Sequence, residues 1–533
     1  MRDFHMPGRS GVFASNGMCA TSHPLAARAA VSILEDGGNA MDAAITAAVL
    51  LGLCEPASTG IGGDMFALIK PAGEDRIVGF NASGRSPKAL NAAYLRDQGQ
   101  TSISIDSVHA VSLPGAIDGF CKLSDDWGEA GLAACLAPAI RYADEGVPVG
   151  PRTSFDWHQS GGRLKGDGDK FYNNGGKPFQ IGEIFKAPGQ AEVLRRIAAE
   201  GRAGFYEGEV MEDMLGSLQA MGGLHTAEDF AAVAAEYVDP VSATYKGMEL
   251  VELPPNGQGV TALLIAKILS HFDIASLDPF GAERAHIEAE ATRLGYDARD
   301  RFVADLSASA PLMDHMLADE TAAKLAALID PGQAMADPHS RSADVHKGAI
   351  HKDTVYLTTA DKDGMVVSMI YSVFHPFGSG LASAKFGINF QNRGAGFVLT
   401  DGHPNELQGG KRPLHTIIPA MMRKDGKVVV SYGVMGGQYQ STGHVRMLTN
   451  IVDFGMSPQQ ALDAPRCFAD PSDGKLHIER GYGEDVRAAL TTKGHDLHTP
   501  ETPIGGSQII MIHDNGVYEG ASDPRKDGCA IGI

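Results

Sequence analysis

The feature that most constrains this chain is a change of texture at residues 353 and 354. Residues 333–353 are polar, carry Pro and Gly and show no periodicity, which is the composition of a loop or linker. Directly after them the chain turns β-rich, in TVYLTTAD (354–361), MVVSMIYS (365–372), VVVSYGV (428–434) and SQIIMIH (507–513). Asp363-Gly364 reads as the turn of a first hairpin and Asp514-Asn515-Gly516 as the turn of another. Before the linker the texture is helical. LAARAAVSILED (25–36) and MDAAITAAVLLGL (41–53) repeat apolar residues at three and four positions, with Gly37-Gly38 as the stop. Further helical zones cover about 112–145 and 258–333. Helices first and strands last predict a layered α/β (α+β) sandwich. No internal repeat or low-complexity segment interrupts it.

With 533 residues, 43% of them hydrophobic, a large core is easily filled. Length alone suggests two to four domains, although interwoven α/β enzymes exceed that range. Lys and Arg number 45 against 65 Asp and Glu, a net charge of −20. That balance argues against nucleic acid or an anionic membrane as partner, since both need clustered basic surface. The six cysteines are scattered, and the N-terminus lacks the apolar core of a signal peptide. The longest apolar run, Ala43 to Cys54, is too short to span a bilayer. A cytoplasmic protein is expected.

Thr354 stands where the polar segment ends and the strand begins. A cut between Asp353 and Thr354 would free its α-amine, whose reference pKa is roughly 7.7–8.0. That amine can act as general base for the residue's own hydroxyl, the N-terminal-threonine form of nucleophilic catalysis. With a two-residue turn at 363–364, Thr354 falls opposite residue 373, within one register step. Ser372 is therefore expected beside the nucleophile. In VVVSYGVMGGQYQST a strand runs into Gly436-Gly437, and a helix follows with Ser441 or Thr442 as its expected cap. Adjacent glycines at a helix entrance present unhindered N–H groups, suited to an oxyanion hole. They equally suit a tight turn of positive φ.

A series of motifs resembles the γ-glutamyltransferase family, over nearly the whole chain and in collinear order. They are HPLAARAAVSILEDGGNAMDAA (23–44), TGIGGDMF (59–66), SLPGAIDGF (112–120), FYEGEV (205–210) and GGLHTAEDF (222–230). Then come ELPPNGQG (252–259), DTVYLTTADKDG (353–364), FGSG (377–380), GKRPL (410–414), MGGQ (435–438) and GASDPR (520–525). The resemblance implies a four-layer αββα sandwich of the N-terminal-nucleophile type. It also implies self-cleavage into a large subunit, 1–353, and a small one, 354–533, interwoven as one domain. It assigns the nucleophile to Thr354, its supporting hydroxyl to Ser372 and the oxyanion pair to Gly436 and Gly437.

Donor recognition departs from that family. Its NNQMDDF-like stretch, whose carboxylate holds an α-ammonium group, is QNRGAGF (391–397) here. Gly396 takes the place of the acid, Arg393 that of a neutral amide, and Phe374 that of an expected Asn. The serine pair after KRPL, which holds the donor's α-carboxylate, is His415-Thr416. The family's carboxylate-binding Arg falls at Ser83, and Arg85 stands two positions on as its replacement. Only thirteen residues separate Phe397 from Lys411, short for a lid. An Arg fork suits a carboxylate, whereas a cation repels an ammonium. The expected substrate is thus a small-molecule amide, with water or an amine as acceptor. The donor is γ-glutamyl or, as in related oxamate amidohydrolases and cephalosporin acylases, an acyl group lacking the free amine.

Two other readings are weaker. TGIGGD lacks the GK[ST] ending of a phosphate loop and no acidic ribose ligand is placed, against a nucleotide module. An uncleaved, non-catalytic scaffold would give one band on a denaturing gel. His23, His286, His351, His375 and His415 show no paired-ligand spacing, so no metal and no cofactor are expected. Homo-oligomerisation is left open.

Overall fold

The structure is a computed structural model describing residue 5, residues 8–335 and residues 354–533. Its centre is a pair of seven-stranded sheets. The first runs Val12–Ala14, Tyr518–Ser522, Gly506–Ile512, Lys427–Met435, Ala420–Lys424, Met248–Glu252 and Val241–Tyr245 across its width. The second runs Cys529–Gly532, Gly17–Thr21, Val355–Asp361, Val366–Ser372, Asp64–Lys70, Val78–Ala82 and Glu236–Val238. Neighbours within both are antiparallel.

Alternation along each strand builds three apolar layers. Tyr356, Ile370, Phe66 and Leu68 of the second sheet meet Met421, Met435 and Ile510 of the first between the sheets. Val355, Leu357, Val367 and Met369 point the other way, onto the helices Pro24–Glu35 and Ala40–Cys54. On the far side, Leu250, Met422, Tyr432 and Ile509 pack against Gly259–Leu269, Ala282–Phe302 and Gln440–Val452. The order of layers is therefore αββα, as the resemblance implies. Ala40–Cys54 is buried all round, so its sequence is apolar on every face, and Asn39 and Asp42 close its N-terminus in a reciprocal cap.

The hairpin at 354–372 is one register step from the expectation: Val355 pairs with Tyr371 and Ala360 with Val366. The turn has three residues rather than two. The Asp361 carboxylate accepts the N–H groups of Asp363 and Met365, both at 3.0 Å, and Gly364 adopts φ +86°. An aspartate that satisfies two turn amides stabilises the wider loop. Both sheets contain strands from before and after the 353–354 junction, so neither 1–353 nor 354–533 owns a sheet. Asp353 and His351 lie outside the described residues.

Candidate active site

Thr354 and Ser372 occupy the same end of two paired strands, and the Thr354 hydroxyl donates to Ser372 Oγ at 3.2 Å. Ser372 Oγ also accepts the Phe374 N–H at 2.8 Å. Both hydroxyl residues are buried. The strand Asp64–Lys70 continues the pairing, with Asp64 opposite Ser372.

Asp64 is fully buried and holds the next ring of groups. Its Oδ1 accepts from Gly84 N at 2.8 Å, Gly115 N at 3.3 Å and Gln391 Nε2 at 2.8 Å. Its Oδ2 accepts from His415 Nε2 at 3.0 Å. The His415 Nδ1 accepts the Ile417 N–H at 3.4 Å, so the hydrogen bonds assign the proton to Nε2. Burial, and secondarily the Arg393 cation, pull its pKa down to about 3, which leaves a neutral imidazole as a donor.

Arg393 lies at the start of a short 3-10 turn, Arg393–Gly396, and is completely buried. Its guanidinium carbon sits 3.9 Å from the centre of the Phe374 ring, and Nη1 donates to Thr416 Oγ1 at 2.9 Å. Among the described residues Nε and Nη2 have no hydrogen-bond partner. Burial lowers its pKa to about 9, opposed by Asp64, so it remains a cation at neutral pH. Phe374 reaches this position at φ +81°, a left-handed conformation that L side chains rarely adopt. The group that replaces the family's Asn is thus a ring platform beneath an arginine. A buried cation with two idle donor nitrogens is costly unless an anion meets it.

Gly436 and Gly437 follow the strand Lys427–Met435, with φ +119° and +56°. A Cβ on Gly436 would lie 2.8 Å from Gly505 Cα. Both positive angles and this close approach require glycine. The helix begins at Gln440, so Ser441 and Thr442 fall in its first turn instead of capping it. Ser441 Oγ donates to Gln258 O at 3.1 Å, and Thr442 shares a hydrogen bond with Thr292 at 3.2 Å. Buried Gln258 ties the glycines to the arginine. Its Nε2 donates to Gly437 O at 3.1 Å and to Thr416 O at 2.8 Å, while its Oε1 accepts from Arg299 at 3.0 Å. Gly436 also lines a cleft bordered by Tyr439, Phe468, Ile504, Arg152 and Lys526.

The structure therefore joins Thr354, Ser372, Arg393, His415, Thr416 and the glycine pair through hydrogen bonds, a ring contact and strand pairing. The Arg85 backbone carbonyl accepts the Leu113 N–H at 3.0 Å, but its guanidinium contacts a different set of groups. The side chain is 44% exposed, and its Nη1 donates to Asp305 at 3.4 Å and to Gly410 O at 3.2 Å. Its Nη1 thus pairs with Asp305 at the surface, while Nη2 lies 4.0 Å from Glu236. Ser83, the other candidate position, is buried and bonded to Asn81. Sequence reasoning missed Asp64 and Gln258. Their signal lay inside TGIGGD and ELPPNGQG, read there as motif letters and not as hydrogen-bond hubs. For metal binding, His286, Glu290 and His495 are the grouping with suitable donors among the described residues.

Comparison with known proteins agrees with this geometry. The family model described as gamma-glutamyltranspeptidase matches residues 26–533. The chain is 32% identical to the glutathione hydrolase-like YwrD proenzyme of Bacillus subtilis, covering 98% of this chain and 99% of that one. It is 32% identical to the oxamate amidohydrolase proenzyme of Klebsiella pneumoniae, covering 97% and 98%. The crystal structure of cephalosporin acylase from Bacillus halodurans superposes with a TM-score of 0.92 at 36% identity, covering 100% and 99%. Fold, collinear motifs and the Thr354 hairpin converge: this chain belongs to the gamma-glutamyltranspeptidase family of autoprocessed amidohydrolases.

Proposed function

We propose that the chain cuts itself between Asp353 and Thr354 and then uses Thr354 to cleave an amide whose acyl group carries a carboxylate and lacks an α-ammonium. In each turnover the Thr354 hydroxyl oxygen attacks the acyl carbon. Its proton passes to the free α-amine and from there to the leaving nitrogen. The acyl group rests as a threonyl ester until water, or an amine, takes it. Ser372 accepts the Thr354 hydrogen bond and orients the nucleophile, and the N–H groups at Gly436 and Gly437 receive the developing oxyanion. Arg393, with Thr416 and His415 behind it, receives the donor's carboxylate. The same cut leaves residues 1–353 and 354–533 as the large and small subunits. Six free cysteines, five of them buried, support a cytoplasmic location.

The observation that carries the donor reading is the buried Arg393 guanidinium, stacked on Phe374 with Nε and Nη2 unbonded among the described residues. An α-ammonium brought there would meet a like charge in a dry site. The name of one relative, oxamate amidohydrolase, fits a carboxylate-bearing amide donor without that amine. The test compares a γ-glutamyl anilide with the glutaryl anilide that lacks only the amine. A higher kcat/KM for the glutaryl compound is expected; a clear preference for γ-glutamyl would overturn the donor assignment.

A further inference from the structure

Far along the chain from the catalytic hairpin, three buried side chains converge at the edge of the helical layer on the first sheet. His286 and Glu290 lie one turn apart on the helix Ala282–Phe302, and His495 follows the helix Glu484–Thr492. One ligand atom from each lies within 4.8 Å of the other two. We infer that His286, Glu290 and His495 form a binding site for one divalent transition-metal ion of the Zn²⁺ or Co²⁺ class.

The supporting geometry is that of a prepared site. His286 Nε2 donates to the Asp330 carbonyl at 2.8 Å, which leaves Nδ1 as the bare nitrogen. A ring nitrogen held by a backbone carbonyl orients the opposite nitrogen toward a metal. Glu290 Oε2 accepts the Met335 N–H at 2.8 Å, while among the described residues its buried Oε1 has no hydrogen-bond partner and lies 3.8 Å from Arg293. His495 is buried, its Nε2 lies 2.8 Å from His286 Nδ1, and among the described residues its own Nδ1 has no hydrogen-bond partner. Burial lowers the pKa of both imidazoles, that of His495 to about 3, so each is the neutral form a metal requires.

In the structure the two rings share a proton, donated by His495 Nε2. Coordination moves that proton to His495 Nδ1, leaving Nε2 and His286 Nδ1 both bare. Zn–N bonds of about 2.0–2.1 Å in a tetrahedral site would part the two nitrogens to about 3.4 Å, a shift of roughly half an ångström. Two imidazoles and one carboxylate leave the fourth position for water, and this donor set suits Zn²⁺ or Co²⁺ better than Mg²⁺ or Ca²⁺. The sequence hides the site because His495 stands 209 residues from His286.

The site also grips the end of the described large-subunit chain. Asp330, Ala334 and Met335 are bonded to His286, to the Lys493 carbonyl and to Glu290 respectively. An ion there would hold the segment that leads toward residue 353.

The test uses the untagged enzyme, stripped with a chelator, dialysed and titrated with Co²⁺ under visible absorption. One Co²⁺ per chain is expected, with the intense bands of a four-coordinate ion and displacement by Zn²⁺. Glu290→Gln keeps an acceptor for Met335 and should fold, yet bind at least tenfold more weakly; His495→Gln should do the same. A rise in Tm with Zn²⁺ should appear in the wild type and vanish in Glu290→Gln. Failure of the wild type to take up stoichiometric Co²⁺ or Zn²⁺, or undiminished binding by Glu290→Gln, would overturn the site.

Discussion

Thr354 Oγ1 lies 3.2 Å from Ser372 Oγ, and the same serine oxygen takes the Phe374 N–H. The serine thus links the proposed nucleophile to the residue that carries Arg393. Ser372→Ala removes the oxygen and leaves the Phe374 N–H without that acceptor. Turnover should fall by about tenfold or more, the equivalent of about 1.4 kcal/mol for a lost hydrogen bond. The measurement is kcat on fully cleaved protein. An unchanged kcat would remove Ser372 from the mechanism.

Arg393→Gln separates donor recognition from chemistry. For an anionic donor, kcat/KM should drop about a hundredfold, the scale of a charge-assisted hydrogen bond of roughly 1.5–3 kcal/mol. For an uncharged acyl amide the change should be small. Equal losses on both donors would mean that Arg393 only supports the fold.

The pH profile should carry the same signature. The Thr354 amine must be neutral to act as base, so activity rises as pH passes through roughly 7.7–8.0. Arg393 must be charged to hold an anion, and burial brings its pKa down to about 9. For an anionic donor kcat/KM should therefore fall again above about pH 9, and for an uncharged donor it should not. A common plateau above pH 9 would contradict the role of Arg393.

His415 gives a stability test with the opposite limb. Its pKa in the fold is about 3, below the free value of 6.5, because burial disfavours the charged ring. The unfolded chain therefore binds the extra proton first. This group's penalty is absent above about pH 6.5 and grows as pH falls toward 3, reaching on the order of 5 kcal/mol. His415→Gln should flatten the decline of Tm over that window. An identical decline in both proteins would place the acid sensitivity elsewhere.

The glycine pair is testable through geometry. A side chain at Gly437 must adopt φ +56°, and one at Gly436 would also crowd Gly505. If Gly437→Val displaces one oxyanion donor, kcat should fall by about 10²–10³. A variant that matures and turns over normally would exclude the pair from catalysis.

The sequence made legible what is local and periodic. The hairpin register about Asp363-Gly364 placed Thr354 beside Ser372, and the three- and four-residue repeat placed the buried helices. It misjudged the 361–365 turn by one residue, since nothing in the letters said that the Asp361 carboxylate would satisfy two amides. It named Arg85 as a carboxylate fork from spacing alone, and spacing cannot show that Asp305, 220 residues away, lies 3.4 Å from one of its nitrogens. Asp64 and Gln258 were invisible as hubs for the same reason: their partners at 391, 415, 416 and 437 are joined only by the fold.

The central claim is that Thr354 becomes an N-terminal nucleophile. Intact mass and N-terminal sequencing of purified, active enzyme test it most directly. Two fragments are expected, the smaller beginning at Thr354, with Thr354→Ala remaining a single inactive chain. Full catalytic activity from an uncleaved 533-residue chain would contradict it.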